Sequence, residues 1–530
     1  MRIFTGDGYN PLIHKTADLL ARQIKLRAGV RPGILAQGRP RAGDITLAVQ
    51  GELLSESFEI EIGPEPSARV VGGDPRGVLY GGGRLLRAAR FEPGRIIFGP
   101  SEGPCVPDMA LRGIYFATHF GNFYHHAPVP EVVRYVEELA LWGVNFLVVW
   151  FDMHHFTGLD DPAARKHLER LRALQHAAHG VGMRFGLVTL ANEAYSTSPV
   201  ELRADPNTGR AHYHVELCPS KPAALERIVR DLRAEFEQFD PLDAIWIWPY
   251  DQGGCACEAC RPWGANGFLR AARAVAAMFR GLGGGGKVFL STWLFDFAKD
   301  EEWRGFYREL EKDHSWIDGV IADGPNAFPH WPLEHRLPGD LPLLNFAEIS
   351  MHDMYPWGGC GINPRPRHWQ EMWDLLRPHV RGGWPYSEGI YEDINKVIWA
   401  QLFWNGRRSV RDIMTEYAAW EFSPEQAGKI FSIMERMEIT LTRFKLKVQG
   451  LEGASKIWEE ICSIDASLPP WAKSAWRWRI VYLRALIDAE LEKNRLKPTA
   501  AVKTALKEIA RIYHARRAEE AVNPAAALKP

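Results

Sequence analysis

The chain has no long apolar run and no excess of charge of either sign. No hydrophobic stretch approaches the roughly 20 residues that a membrane-spanning helix needs, and 64 Lys and Arg balance 65 Asp and Glu. We therefore expect no membrane partner and no nucleic-acid partner, because binding to nucleic acid requires clustered positive charge. The start of the chain also lacks the basic segment and apolar core of a secretory signal. We expect a cytoplasmic protein.

Cysteine is scarce too. The seven cysteines are an odd number and mostly lie in one cluster, which argues against a disulfide framework. Tryptophan, in contrast, is abundant, with 20 residues in the chain. Any single tryptophan is explained by core packing, but indole rings at several strand ends would suit a carbohydrate cleft, because sugars present apolar C–H faces that stack on them.

Eight apolar runs alternate with helix-length amphipathic segments between residues 106 and 405. The runs are 111–118, 144–151, 184–190, 242–249, 287–293, 317–322, 341–349 and 381–386. Parallel strands that are buried on both faces give apolar runs of this kind, so the order predicts a (β/α)8 TIM barrel. Only the stretch between the sixth and seventh runs lacks an obvious helix.

The remaining parts of the chain differ from the barrel in pattern. Residues 1–105 mix helical periodicity, at 16–26 and 76–89, with strand-like runs at 44–49 and 57–62, which predicts a small α+β domain. Residues 406–530 show helical periodicity almost throughout and predict a helical domain. The predicted fold class is therefore α/β, with an N-terminal α+β domain, a TIM barrel and a C-terminal helical domain.

Acidic residues follow several of the predicted strands. The strand ends of a TIM barrel form its active site, and glycoside hydrolysis needs two carboxyl groups, one as acid and one as base or nucleophile. Asp251, after the fourth run and close to Trp246 and Trp248, is our candidate acid. Glu348, after the seventh run, is our candidate base or nucleophile, and Glu388, after the eighth, competes closely for that role.

Other polar and aromatic side chains at strand ends are candidates for binding substrate hydroxyl groups. They are His119, Asn122, Trp150, Asp152, Glu193, Tyr250, Trp293, Asp323 and Tyr386. For each one alone, a structural hydrogen bond is about as good an explanation.

The clustered cysteines could form a metal site. Cys255, Cys257 and Cys260 give the pattern C-x-C-x-x-C, and Cys218 is a possible fourth ligand, because the loops after the third and fourth strands of a barrel are neighbours. Four thiolates would make a closed tetrahedral zinc site, which is structural rather than catalytic. Three reduced cysteines that pack a glycine-rich loop explain the motif equally well. Catalysis by two carboxyl groups needs no cofactor.

Short segments of the chain resemble known glycoside hydrolases. Residues 73–81, followed by Leu85 and Leu86, are similar to a helix in the non-catalytic N-terminal domain of β-N-acetylhexosaminidases and α-glucuronidases. With the barrel entry at 107–114 and the strand-end carboxylates, the resemblance is to the family 20 hexosaminidases and the family 67 α-glucuronidases. The helical region after Asn405 is more similar to the α-glucuronidase arrangement.

This resemblance implies glycosidase activity. The hexosaminidase pattern places an Asp-Glu pair after the fourth strand, with Glu as the acid and Asp positioning the acetamido group of the substrate. Here the pair is Asp251–Gln252, so the Glu is missing. The resemblance therefore does not imply cleavage assisted by the N-acetyl group of the substrate. We expect an exo-acting glycosidase that acts on a small oligosaccharide or glycoside. A homo-oligomer is possible.

Two other functions remain open. One is a sugar-binding barrel that has lost its activity, and the other is a metal-dependent barrel enzyme. The latter usually has His-x-His after the first strand, which this chain lacks. The histidine doublets at 125–126 and 154–155 are a poor substitute, because adjacent side chains seldom point at one ion.

Overall fold

The computed structural model describes residues 1–6, 8–118, 122–207, 215–250, 254–298, 300–322, 327–349, 364–440 and 451–514. These residues form an N-terminal mixed sheet with two helices, a closed barrel of eight parallel strands, and a C-terminal set of helices. The predicted fold class is confirmed. The exact domain boundaries at 105 and 405 stay predictions. None of the described helices has the length and apolar composition that crossing a membrane requires.

The N-terminal part is a six-stranded sheet covered by two helices. Its elements are β1 (Arg2–Phe4), α1 (Pro11–Ala28), β2 (Gly33–Leu35), β3 (Ile45–Val49), β4 (Phe58–Ile62), β5 (Ala68–Gly72), α2 (Pro75–Ala88), β6 (Arg90–Glu92), β7 (Arg95–Ile97) and β8 (Glu102–Cys105). The strand order is β2-β1-β3-β5-β4-β8, with β4 antiparallel to both of its neighbours, and β6 and β7 form a separate hairpin. Both predicted helices and both predicted strands are present. The other six strands, of three to five residues, are too short for a clear alternation pattern.

The barrel strands follow one another around the ring. They are β9 (Leu111–Phe116), β10 (Phe146–Trp150), β11 (Arg184–Leu190), β12 (Ala244–Trp248), β13 (Lys287–Ser291), β14 (Gly319–Ala322), β15 (Leu343–Asn345) and an eighth position split into β16 (Val380–Gly383) and β17 (Tyr386–Ser387). Each pairs in parallel with the next, and both β10 and the eighth position pair with β9, which closes the barrel.

Helices connect these strands. They are α3 (Phe123–His126), α4 (Val129–Leu141), α5 (Pro162–Gly180), α6 (Pro222–Phe236), α7 (Gly267–Gly281), α8 (Asp300–Lys312), α9 (His330–Glu334), α10 (Pro366–Leu376) and α11 (Asp393–Trp404). Three of them begin with proline at the first position, which loses no helical hydrogen bond there. No obvious helix was predicted between the sixth and seventh strands, and in the described part of this stretch, 327–342, the structure has the five-residue α9 and a 3-10 turn.

The C-terminal helices pack beside the barrel. They are α12 (Val410–Glu421), α13 (Ala427–Ile439), α14 (Ala454–Ser467), α15 (Pro470–Lys473), α16 (Trp476–Lys493) and α17 (Ala500–Tyr513). The helical periodicity that the sequence shows almost throughout residues 406–530 is interrupted after α15, where Ser474 and Ala475 separate it from α16.

The N-terminal sheet is joined to the barrel by a buried arginine. Arg112, in β9, has no exposed side-chain surface and donates a 2.6 Å hydrogen bond to the carboxylate of Glu56. Its other guanidinium nitrogens donate to the carbonyls of Gly143 and Met109. Asn145 and Arg76 also contact the Glu56 carboxylate. A buried ion pair needs additional hydrogen bonds of this kind to offset its desolvation.

Aromatic rings fill the inside of the barrel. Trp384 lies against Trp246 with ring centroids 5.7 Å apart, and Phe146 and Phe289 contact its edges at 5.2 and 5.1 Å. Gly113, in β9, leaves the space for this indole, since a Cβ atom there would lie 2.1 Å from the Trp384 ring. The interior is a packed core, as in other barrels of this type, and a ligand could be bound only at the mouth.

Gly113→Ala should therefore destabilise the barrel. The added methyl group would force Trp384 out of its site, and overpacking of this kind costs about 1–3 kcal/mol. Gly180→Ala is the matched control, because nothing lies within 4 Å of a Cβ atom at that position. Thermal unfolding followed by circular dichroism should give a lower midpoint for Gly113→Ala only. Equal midpoints for both variants would contradict the packing described here.

Candidate functional site

The carboxyl ends of the barrel strands share one rim. Nine residues named as candidates from the sequence lie at this rim or in the loops directly beyond it within the described part of the chain: Asn122, Trp150, Asp152, Glu193, Tyr250, Trp293, Glu348, Tyr386 and Glu388. His119, Asp323 and the candidate acid Asp251 lie outside the described residues.

The floor of the rim is aromatic. Trp248, at the end of β12, lies 5.8 Å from Trp293 and 5.3 Å from Phe346, both edge to face, measured between ring centroids. Trp293 and Phe346 are 5.6 Å apart, so the three rings form one cluster. Trp246 stacks beneath Trp248 at 5.4 Å. Trp248 and Trp293 are both buried, with 6% and 8% of their surface exposed.

Two glutamates flank one tyrosine on the side of the seventh and eighth strands. Glu348 forms an isolated parallel bridge with Tyr386, whose hydroxyl donates a 2.7 Å hydrogen bond to the Glu388 carboxylate. Burial raises the pKa of Tyr386 well above its usual value, and the charges of Glu388, Tyr115 and Glu348 add to this effect. Glu348 and Glu388 are 7% and 6% exposed. The structure thus brings together the two carboxylates that compete for one role.

A buried network holds the backbone of Glu388. Glu392 is fully buried, and its carboxylate accepts hydrogen bonds from the amides of Glu388 and Gly389 and from the Ser387 hydroxyl, at 2.9, 3.0 and 2.7 Å. Lys396, one helical turn later, lies 3.8 Å from the same carboxylate. Sequence reasoning missed this pair, although the Glu-x-x-x-Lys spacing at the start of the predicted eighth helix was a visible signal.

A second group of carboxylates lies after the second and third strands. Glu193 is 2% exposed and accepts hydrogen bonds from the Trp150 indole N–H and from the amides of Leu190 and Met153. Burial raises the pKa of Glu193 to about 8, with the charge of Asp152 as the next cause. Glu235, on α6, has its pKa raised well above its usual value by burial and then by Glu193 and Asp152.

Tyr115 lies between these two carboxylate groups. Burial raises its pKa well above the usual value, and the next causes are the charges of Asp152, Glu193 and Glu388. The ring of Tyr115 also contacts both Tyr386, at 5.5 Å, and Trp248, at 6.1 Å. Sequence reasoning did not find Tyr115, because it lies inside an apolar strand rather than after it.

The doublet His154–His155 corrects an expectation from the sequence. Asp152 has a left-handed backbone with φ of 57°. Its carboxylate contacts Nδ1 of His154 and, at 3.1 Å, Nε2 of His155. The adjacent histidines therefore do point at one group, and one ligand atom from each of the three residues lies within 4.8 Å of the others.

Three of the predicted substrate-binding residues use their polar atoms within the protein. Asn122 is fully buried, caps α3 by accepting from the Tyr124 amide, and donates to the Ala117 carbonyl. The Tyr250 hydroxyl donates to Glu302 at 3.0 Å, and the Trp150 indole donates to Glu193. Their part in binding substrate stays a prediction.

The four cysteines named from the sequence come together. The Sγ atom of Cys218 lies 3.6 Å from that of Cys255, 3.7 Å from that of Cys257 and 4.0 Å from that of Cys260. All four sulfur atoms lie within 4.8 Å of one another. Four clustered cysteines could bind a metal ion.

The sequence matches no known protein-family model and no curated protein. The fold does match solved structures of carbohydrate-active enzymes. One is a GH138 enzyme targeting pectin rhamnogalacturonan II, with a TM-score of 0.62 and 12% identity over 96% of this chain and 72% of that one. Another is a GH115 4-O-methyl-α-glucuronidase with specificity for decorated arabinogalactans, with a TM-score of 0.60 and 13% identity over 100% of this chain and 78% of that one.

A third is the GH20 β-N-acetylhexosaminidase from Streptomyces coelicolor A3(2), with a TM-score of 0.55 and 16% identity over 81% of this chain and 92% of that one. At these identities the likeness concerns the fold. The chain therefore has the fold of glycoside hydrolases of families GH20, GH115 and GH138, as the sequence resemblance predicted for family 20.

The raised pKa of Glu193 predicts a pH dependence of stability. Because the folded state holds this proton more tightly than the unfolded chain, the contribution of Glu193 is fully present below its unfolded pKa of about 4.5 and is lost as the pH rises through about 8. The side chain of the Glu193→Gln variant cannot titrate, so this variant should lose less stability than the wild type as the pH rises. The decrease in the thermal midpoint between pH 6 and pH 9, measured for both proteins, gives the difference. An equal decrease in the two proteins would contradict the assignment.

Proposed function

We propose that this protein is an exo-acting glycoside hydrolase that acts on a small oligosaccharide or glycoside. The observation that carries the proposal is the pair Glu348 and Glu388 on either side of Tyr386, next to the aromatic floor of Trp248 and Trp293. A sugar ring could stack on an indole while its glycosidic bond faces the carboxylates. The fold shared with three families of glycoside hydrolases supports the same conclusion.

Each carboxyl group has a proposed role. Asp251, directly after Tyr250, is the general acid that protonates the leaving oxygen, and Glu348 is the base or nucleophile. Glu388 is the other candidate for the second role, because the hydrogen bond from Tyr386 stabilises its ionised form. The second carboxylate must be ionised to attack the anomeric carbon or to activate water.

The proposal has three further parts. The partner is a carbohydrate, a homo-oligomer is possible, and the protein works in the cytoplasm. Two carboxyl groups and water suffice for the reaction, so no cofactor takes part in it. An ion held by the four cysteines would be structural zinc, since four thiolates leave no open coordination position.

A metal-dependent barrel enzyme is the second candidate function. The contact of Asp152 with His154 and His155 favours it, because two imidazoles and a carboxylate are a common set of ligands for a catalytic metal. His154→Ala separates the two functions, because it removes a ligand of the proposed catalytic ion and leaves the four cysteines intact. Loss of hydrolysis together with loss of a bound divalent ion would favour metal catalysis. Unchanged hydrolysis in this variant favours the carboxyl mechanism. A barrel that binds sugars without cleaving any is the third possibility.

The primary experiment is hydrolysis of a panel of aryl glycosides and plant oligosaccharides by the purified protein. We expect turnover of at least one substrate that releases a terminal sugar. No hydrolysis of any member, together with no binding of sugars at the mouth, would contradict the proposal.

On the substrate that is cleaved, Asp251→Asn and Glu348→Gln should each lower kcat by about 10²–10⁴-fold, since the amides remove proton transfer while keeping the shape. Glu371→Gln, at an exposed position on α10, is the matched control and should leave kcat unchanged. Glu388→Gln decides between the two glutamates. If it abolishes activity while Glu348→Gln stays within about tenfold of the wild type, the roles of Glu348 and Glu388 must be exchanged.

A further inference from the structure

We propose that Cys218, Cys255, Cys257 and Cys260 bind one zinc ion, and that this ion fastens the loop after β11 to the loop after β12. The loop after β12 carries Asp251, so the ion would hold one side of the mouth in place. The catalytic consequence rests on the proposed function, whereas the metal site itself does not.

The spacing of the sulfur atoms fits a tetrahedral ion. With Zn–S bonds of about 2.3 Å, a regular tetrahedron places its sulfur atoms about 3.8 Å apart. The three distances from Cys218 are 3.6, 3.7 and 4.0 Å. A disulfide would require about 2.05 Å between two of them. The four side chains are therefore arranged around a common centre rather than in pairs.

The surroundings of the cluster suit thiolate ligands. Cys218, Cys255 and Cys260 are at most 2% exposed, and only Cys257 is partly accessible. The amide of Asp205 donates to Sγ of Cys255 at 3.3 Å. The Ser220 hydroxyl lies 2.9 Å from Sγ of Cys218. Such hydrogen bonds orient metal ligands and stabilise their charge. A closed tetrahedral set of four thiolates suits zinc, and iron is the other common metal that binds such a set.

The cluster joins two loops that a side chain from the barrel already brings close together. Asn192, just after β11, donates to the carbonyls of Leu217 and Gly254, both at 2.9 Å, and accepts from the Gly254 amide. Leu217 directly precedes Cys218, and Gly254 directly precedes Cys255. Two of the four zinc ligands, Cys218 and Cys255, thus directly follow the two residues that Asn192 holds together.

The cysteine cluster lies close in the sequence to the proposed general acid, Asp251. Asp251 lies four residues before Cys255 along the chain. On the other flank, Tyr250 is held by its hydrogen bond to Glu302, and the Trp263 indole donates to the Pro249 carbonyl at 2.8 Å. The described residues on both flanks of Asp251 are thus held by hydrogen bonds, and removal of the ion would release an additional anchor on the Cys255 side.

Metal analysis tests the site directly. Protein purified under reducing conditions should contain about one zinc ion per chain, and Cys255→Ser should contain little or none. Cys462→Ser is the matched control, because Cys462 lies on α14, outside the cluster, and it should keep the metal. Cobalt substitution of the wild-type protein provides a second readout that needs no variant. The expected result is the intense visible absorption of tetrahedral cobalt bound to thiolates.

Four results would contradict the proposed zinc site. They are wild-type protein that contains no metal, iron in place of zinc, equal loss of metal from both cysteine variants, and an octahedral cobalt spectrum.

Metal removal tests the fastening of the two loops. Zinc-free protein should unfold at a lower temperature while its circular dichroism keeps the barrel signal, and zinc should restore the midpoint. If the protein hydrolyses a glycoside, kcat should fall by about 100-fold on zinc removal, as expected for a misplacement of about 1 Å. An unchanged midpoint overturns the fastening role. A lowered midpoint with unchanged kcat overturns the effect on Asp251. The metal content and the midpoint remain decisive even if no glycoside is cleaved.

Discussion

The packing of aromatic rings inside the barrel is the constraint on which the candidate site depends. Trp384 and Trp246 occupy the interior, Trp248 stacks on Trp246, and Gly113 provides the space for the Trp384 indole. Since these rings fill the interior, a ligand of the barrel would bind at the rim above them. The aromatic cluster of Trp248, Trp293 and Phe346 makes the floor of that rim apolar.

The rim combines this apolar floor with two groups of carboxylates. Glu348 and Glu388 lie on either side of Tyr386, whereas Asp152 and Glu193 lie after the second and third strands, and Tyr115 stands between the groups. Burial raises the pKa of Glu193 to about 8, with the charge of Asp152 as the next cause, whereas the Glu388 carboxylate accepts a hydrogen bond from the Tyr386 hydroxyl. Carboxyl groups in contrasting environments are what acid–base catalysis requires.

Much of this arrangement could be predicted from the sequence. The eight barrel strands were predicted from eight apolar runs, because strands buried on both faces are apolar along their whole length. Glu348 and Glu388 were chosen as candidates because they follow two of these runs. The spacing of the cysteines, with the rule that successive loops are neighbours, correctly grouped Cys218 with the other three.

Other features depend on tertiary contacts that leave little trace in the sequence. Tyr115 is one of several aromatic residues in apolar strands, and only closure of the barrel places it between the carboxylates. The eighth strand position is interrupted at Trp384 and Pro385, between β16 and β17, and within β16 Gly382 adopts a φ of 124°, where a Cβ atom would lie 2.1 Å from the Leu111 carbonyl oxygen. The convergence of His154 and His155 on Asp152 depends on the left-handed backbone at Asp152, which few non-glycine residues adopt.

We propose that the rim binds a sugar between its aromatic floor and its carboxylates. The decisive experiment is a crystal structure of the protein soaked with monosaccharides. We expect one sugar ring stacked on Trp248 or Trp293, with a carboxylate oxygen of Glu348 or Glu388 within hydrogen-bonding distance of the ring. A sugar bound only elsewhere, for example in the cavity of about 270 Å³ near Arg27 and Trp471 between the N-terminal and C-terminal helices, would contradict it.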